Sequence, residues 1–370
     1  MKSHDAIVVG GGLVGSAVAF GLAEKGLHVA VLDEGDVAFR ASRGNFGLVW
    51  VQSKGDGMQA YAEWTGRSAD LWPGFADTLS GELGVDIGYR KPGGLHLCLS
   101  EKELEDRKAL LHRMHNQAGE GGYDCRVLDR AEVADMVPGI GEAVVGATYG
   151  PHDGHANPLY LLRALHNGLS LRGADYRPNA RVERIARDGS AYAVHTATER
   201  LVAPKVVLAA GLGSRRLGPD IGLDVPVAPL KGQILVTERC PQRFAMPTAF
   251  VRQTEEGSYL LGDSHEDVGF DVTSSVDVIG QIAARAVRSF PFLNDVRVVR
   301  GWGALRIMTP DGFPVYDESE THPGAYSVSC HSGVTLAAAH ALGLAPAIAD
   351  DRFRETFAAF TARRFDVSQA

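Results

Sequence analysis

Apolar and polar positions alternate along this chain in two distinct textures. Residues 5–9 form a short apolar run, with Ile7, Val8 and Val9, that suits a strand buried on both faces. After a glycine turn, residues 13–25 carry apolar side chains at helical spacing and stop at Gly26. Residues 28–32 repeat the buried-strand pattern, so the spacing predicts a βαβ unit at the start. Helical spacing recurs over 60–79, 100–119 and 158–172. From 181 to 210 the texture changes to short strands: 181–185, 192–196, 201–202 and the apolar run 206–210. Further strands are predicted over 225–237, 249–252, 258–262, 296–307 and 326–329, with a helix over 276–290. Residues 333–349 are alanine-rich and apolar all round, which predicts a helix buried on every side.

A chain of 370 residues, 45% hydrophobic and 22% charged, is long for one core. The pattern divides it into two interleaved lobes. Residues 1–54, 140–220 and 301–370 carry the nucleotide-fold texture, and 55–139 with 221–300 form a second domain. The class is α/β and α+β: a Rossmann-type domain interleaved with a second lobe of short strands and helices. A net charge of −8 without Lys/Arg blocks argues against nucleic acid as a partner. Cys98, Cys125, Cys240 and Cys330 are scattered, form no metal-binding spacing and read as reduced thiols. No metal is expected. Neither a secretory leader nor a membrane span is expected, and the reading is cytoplasmic.

Gly10-Gly11-Gly12-Leu13-Val14-Gly15 matches G-x-G-x-x-G in full context, between a strand and a helix and ahead of a second strand. An acid, Asp33, follows 18 residues after Gly15, with Glu34 beside it. Gly10 permits the tight turn, Gly12 lets a pyrophosphate approach the backbone, and Gly15 lets helix and strand pack closely. The helix N-terminus offers its free N–H groups to phosphate. Asp33 would accept hydrogen bonds from the ribose hydroxyls, and its charge disfavours a 2′-phosphate. A dinucleotide site follows.

Two segments favour FAD over NAD. Arg40-Ala41-Ser42-Arg43-Gly44-Asn45-Phe46-Gly47 is small and polar where an NAD enzyme would place an ordinary crossover. The buried run 205–210 enters Gly211-Leu212-Gly213-Ser214, bringing Ala210 and Gly211 into a tight turn beside a ligand.

With these motifs, and with 303–314 and 331–336 near the C-terminus, the chain resembles the glycine oxidase, sarcosine oxidase and D-amino-acid oxidase superfamily. The resemblance spans nearly the whole chain in the family's order. It implies an FAD domain roofed by the antiparallel sheet of a substrate domain, with the Val182 backbone against adenine. It assigns Arg306, in Gly303-Ala304-Leu305-Arg306-Ile307-Met308, to the substrate carboxylate, a task suited to a permanently charged fork of donors. The turn Ser332-Gly333-Val334-Thr335 would aim a helix N-terminus at the edge of the flavin that becomes negative on reduction. His331 would add positive charge, contact substrate or simply cap the helix. His265 and Tyr259 are weaker candidates for substrate contact, and Lys231-Gly232-Gln233 reads as a structural turn. Sarcosine oxidases attach their flavin through a cysteine within the stretch 303–308. This chain has none there, so its FAD is expected to be non-covalent.

The stretches 41–52 and 91–97 look most like the catalytic β-subunits of opine and D-hydroxyproline dehydrogenases. That likeness implies an amino-acid or opine substrate, and partner subunits comprising a second flavoprotein and a small iron–sulfur protein. The alternatives are a stand-alone glycine- or sarcosine-type oxidase making hydrogen peroxide, and a non-catalytic FAD-binding scaffold. Retention of Arg306 speaks against the scaffold.

Overall fold

The computed structural model describes residues 4–35, 41–84, 86–118, 124–244 and 246–369. Arg40 and Gly119 therefore lie outside the described residues. A six-stranded sheet runs in the order Val315–Glu318, Ala325–Ser329, Lys205–Leu208, Ala6–Val9, Val29–Leu32 and Asp175–Arg177. Its strands pair in parallel except at the Val315–Glu318 edge. The central strand shows why its sequence is apolar throughout. Ala6 and Val8 pack into one core with helix Leu13–Glu24, while Ile7 and Val9 pack into another beneath the small sheet 182–203. With both faces covered, no position on that strand is left for a polar side chain.

The second lobe carries an antiparallel sheet in the order Val251–Gln253, Ser258–Leu261, Ala228–Arg239 and Val298–Met308. A neighbouring sheet of Gly94–Cys98, Gly146–Gly150 and Arg126–Asp129 joins it where Leu95 exchanges backbone hydrogen bonds with Pro247 and Ala249. Helix Val276–Ser289 buries Ile282 and Ala286 against this lobe's core.

Packing divides the chain differently from the sequence-based boundaries. Helix Gln59–Leu83, assigned above to the second domain, inserts Trp64, Trp72, Phe75 and Leu79 into the first core. There Ser68 Oγ and Trp72 Nε1 both donate to the carbonyl of Thr335. Conversely, residues 301–308 of strand Val298–Met308, and strand Gly146–Gly150, assigned above to the first domain, pair within the sheets of the second lobe. Strand-to-strand pairing over long sequence distances decides these memberships, and local periodicity does not report it.

The C-terminal segment is buried as its composition predicts, but it is not one continuous α-helix from 333. A turn over 333–336 leads into helix Ala337–Ala339, a π-helical stretch His340–Leu344 and helix Ala345–Ala349. Pro346 accounts for the π-helical stretch, since it has no N–H to give the carbonyl four residues back and its ring would press on it. The widened turn also packs closely on the first helix, where a Cβ at Gly21 would lie 2.0 Å from the Ala341 carbonyl oxygen.

Candidate active site

The glycine fingerprint forms a tightly constrained cradle. Gly10 adopts φ +108°, and a Cβ there would lie 2.4 Å from the Ala209 carbonyl oxygen. A Cβ at Gly15 would fall 1.9 Å from the Gly10 carbonyl oxygen, so the turn and the helix touch backbone to backbone. Helix Leu13–Glu24 has no side-chain cap and no acid in its first turn. Leu13 N–H donates to Ser42 Oγ, which anchors the segment from Ala41 against the helix N-terminus. The N–H groups of Val14 and Gly15 find no acceptor among the described residues. An acid-free N-terminus with two open N–H groups, framed by glycines, suits a diphosphate.

Asp33 stands at the end of Val29–Leu32, where its carboxylate accepts from Gly11 N–H at 2.8 Å and Gly35 N–H at 3.0 Å. It therefore fixes the first turn of the cradle. Glu34 is exposed and lies 3.8 Å from Arg181. Val182 is buried as a strand residue, and its carbonyl accepts from Arg216 Nη2 at 2.8 Å. Ala210 and Gly211 form the expected tight turn, with Gly211 at φ +57° and its α-carbon facing Ile307.

The segment from Ala41 to Gly47 lies beneath the roof strand Val298–Met308. Trp302 Nε1 points at the Gly44 carbonyl, and a Cβ at Gly44 would strike Ala304. Asn45 closes the turn by accepting from Gly47 N–H at 2.7 Å, and Phe46 sits under Gly262. Arg43 is half-buried. The C-terminal turn completes the enclosure, since Gly333 faces Leu13 and Val14. Thr335 Oγ1 accepts from Trp50 N–H and donates to the Leu48 carbonyl. Val334 is buried, and Ser332 Oγ meets Tyr61 OH at 2.8 Å. The cradle, the Ala41–Gly47 segment and the 332–335 turn thus enclose one site, and the donors they present fit FAD.

Arg306 projects from the roof strand on the same face as Trp302 and Ala304. Its Nη1 donates to the carbonyls of Ser264 at 2.7 Å and Lys231 at 3.2 Å, and its Nη2 meets Asp263 Oδ2 at 2.6 Å. The guanidinium lies over Gly232, where a Cβ would be 2.5 Å from both terminal nitrogens. Its Nε–H and one Nη2 N–H keep no partner among the described residues.

His331 is half-buried near Arg306, Lys54 and His265. Burial, then repulsion from Lys54, Arg306 and His265, holds its pKa well below the usual histidine range. The same burial works against a positive charge on the ring. His265 is exposed, with Nδ1 4.0 Å from Asp263 Oδ1, at the outer edge of the same cluster.

Two readings need correction. Tyr259 is 0% exposed and packs with Phe244 and Phe292 in the core of the second lobe, away from Arg306. On a strand, its neighbours alternate between faces, and Tyr259 falls on the core side with Leu261. Lys231-Gly232-Gln233 is not a turn but the middle of strand Ala228–Arg239. Lys231 is buried and paired with Glu266 and Asp271, while Gly232 provides the floor under Arg306.

Several residues of the site escaped the sequence reading. Asp263 and Tyr61 sit in segments with no distinguishing pattern. Lys54 had a signal, a cation placed between an apolar run and two glycines. Asp153 is buried and accepts from Val51 N–H, Gln52 N–H and Gln52 Nε2, which ties down the chain leading to Lys54. Burial pushes the Asp153 carboxyl up to about 6 despite these donors. Among the described residues, no group of three or more His, Cys, Asp or Glu could hold a metal, and no helix is long and apolar enough to cross a membrane.

A nucleotide cradle roofed by an antiparallel sheet with an inward arginine defines a class, and comparison with known proteins agrees. The family model for FAD dependent oxidoreductases (DAO) matches residues 5–346. The chain belongs to that family and is an FAD-dependent oxidoreductase. It is 43% identical over 370 residues to a subunit of the opine oxidase of Rhizobium meliloti, covering 100% of both chains. It is 28% identical to the glycine oxidase of Geobacillus kaustophilus, covering 90% of this chain and 89% of that protein. Among solved structures, glycine oxidase from Bacillus cereus superposes with a TM-score of 0.87 at 26% identity, covering 98% of this chain and 99% of the other.

Proposed function

We propose that this chain oxidises a secondary amine or amino acid, of the opine or D-hydroxyproline kind, to the corresponding imine. The observation that carries the reading is Arg306, aimed from the roof strand over the site with unpaired N–H donors beside Asp263. A carboxylate accepting from that edge would fix the substrate's Cα, and with it the C–H to be broken. FAD, when bound, supplies the acceptor for the hydride leaving Cα. The residues of the chain hold and orient. Lys54 and Arg306 make the surroundings positive, which favours the neutral amine whose lone pair assists C–H cleavage.

The flavin is held non-covalently in this reading, because no cysteine occurs in 303–308. The 43% identity to a protein named as a subunit supports partner subunits here, taken to be a second flavoprotein and a small iron–sulfur protein. The test is anaerobic mixing of the yellow protein with a panel of amines, following the flavin absorbance, then readmission of air. Bleaching by opines or D-hydroxyproline with slow recovery in air is the expected result. Rapid recovery with stoichiometric peroxide from glycine or sarcosine would establish the stand-alone oxidase instead.

A further inference from the structure

The turn after the Leu48–Val49 strand is unusually rigid for a loop. Ser53 adopts φ +65°, a left-handed conformation that a serine takes only under constraint. Lys54 N–H donates to the Val51 carbonyl at 3.0 Å. Gly55 follows at φ +89°, where a Cβ would lie 2.4 Å from Ala62 N, and Asp56 is gripped by Arg113 at 2.6 Å. Asp153 fixes the other side through Val51 and Gln52. The stem of Lys54 therefore starts from a fixed backbone.

The segment that carries Lys54 is tied to the C-terminal turn, where Trp50 N–H donates to Thr335 Oγ1 at 3.1 Å, and to the wall, where Val51 and Gln52 N–H donate to Asp153. Arg306 and Asp263 of the roof and Cys330 of the C-terminal turn act on the charge of Lys54. Lys54 is half-buried, yet its ammonium has no hydrogen bond or ion pair among the described residues. Lys231, by contrast, is paired with Glu266 and Asp271, and Lys91 lies 3.7 Å from Asp70. The neighbouring acids are already engaged, Asp263 by Arg306 and Asp153 by the Val51–Gln52 donors. An ammonium partly withdrawn from water without an anion is costly, and an incoming carboxylate would relieve that cost.

We propose that Lys54 holds a second carboxylate of the substrate, so that the preferred amine carries one carboxylate on each side of its nitrogen. This rests on the reading that Arg306 holds the first. The division of labour follows from the side chains. The arginine fork fixes the carboxylate on the reacting carbon in one plane, while a lysine is a point charge that tolerates a variable second arm. Burial lowers the lysine's pKa below its usual range, with Arg306 adding repulsion, and the negative charge of an arriving carboxylate would oppose both by favouring the ammonium.

The test uses the FAD-loaded protein and two inert ethers in which oxygen replaces the amine: oxydiacetate, with two carboxylates, and methoxyacetate, with one. Binding is read from the perturbed flavin absorbance and from the rise in Tm. Wild type should prefer oxydiacetate by at least about tenfold. Lys54→Met should abolish that preference while leaving methoxyacetate within about twofold, and Lys54→Arg should restore most of it. Lys54→Gln serves if the methionine variant does not hold FAD. Equal weakening of both ethers in the Lys54 variants, or unchanged oxydiacetate binding, would overturn the proposal. Arg306→Lys separates the two readings, since it should weaken both ethers alike. If Arg306→Lys weakens neither while Lys54→Met still removes the preference, the Arg306 assignment fails and that of Lys54 stands.

Discussion

The guanidinium of Arg306 lies against the carboxylate of Asp263, Nη2 to Oδ2 at 2.6 Å, directly above the α-carbon of Gly232. The arginine is therefore positioned before any ligand arrives, by an acid on one side and two carbonyls on another. The N–H edge left over is the one on which the proposed substrate carboxylate would be received.

Arg306→Lys should keep FAD and fold but lower kcat/KM by at least about tenfold, or roughly 1.4 kcal/mol. A lysine cannot reproduce two parallel donors or hold Ser264 and Asp263 at once. Gly232→Ala should act in the same direction, because the new methyl would occupy the guanidinium's place. Steady-state kinetics alongside flavin content check both, and wild-type kinetics in both would remove Arg306 from the active site.

Asp33→Ala should weaken FAD binding. The loss includes any ribose hydrogen bonds and the support Asp33 gives to Gly11 and Gly35, at about 1.5–3 kcal/mol for each charged hydrogen bond at most. Asp33→Asn should fall between, since its oxygen can still accept from one backbone N–H. Titration of apoprotein with FAD measures this. Unchanged affinity in Asp33→Ala would show that this strand end does not meet the cofactor.

The nucleotide cradle was legible because its physics is local: three glycines, a strand and an acid at a fixed distance dictate one turn. Arg306 stood out only through its motif. What holds Arg306, namely Gly232, Asp263 and the Ser264 carbonyl, lies 42 or more residues away in sequence and is assembled by strand pairing. Tyr259 misled for the same reason, because a tyrosine in a short strand gives no sign of which face meets the core. Lys54 lies just beyond a stretch recognisable by its likeness to known proteins, and only the folded turn shows its charge meeting that of Arg306.

Acid or heat denaturation should release the yellow flavin into the supernatant without proteolysis. No cysteine stands at 303–308, and Cys330, in the neighbouring element, is a buried thiol whose pKa burial pushes up to about 12. A thiol so far from ionisation at neutral pH is a poor nucleophile for a flavin. Colour that stays with the precipitated protein would contradict this.

Asp317 gives a pH prediction. It is buried and accepts from Ala362 N–H at 2.8 Å, and burial raises its pKa from the ordinary 3.8 to about 6. A carboxyl raised in the folded state contributes stability that is full below about 3.8 and is lost as pH rises through about 6. Asp317→Asn, whose oxygen can still accept from Ala362, is free of that loss. Relative to wild type, its stability should improve between pH 4.5 and 7.5 by on the order of 1–3 kcal/mol. Denaturant melts at the two pH values measure it, and a pH-independent difference would mean that Asp317 titrates normally.

The last prediction concerns where the electrons go. The chain alone, loaded with FAD, should reduce artificial dyes much faster than it reduces oxygen. Its four cysteines are scattered and free, so it has no iron–sulfur relay of its own. Electrons taken from substrate must leave either to oxygen or to a neighbouring subunit, and a protein 43% identical along its entire length is named as one subunit of an oxidase. That name leaves both exits open for the assembled enzyme, so the isolated chain is the informative sample. Stopped-flow mixing of the substrate-reduced protein with air-saturated buffer, and separately with a dye, compares the two rates directly. Adding the co-expressed partner subunits should then raise turnover with the physiological acceptor without changing the rate of flavin bleaching. That separation matters, because bleaching tests the proposed substrate contacts, while reoxidation tests the electron exit. Fast reoxidation by air in the chain alone, with peroxide formed in step with substrate consumed, would place it with the stand-alone oxidases.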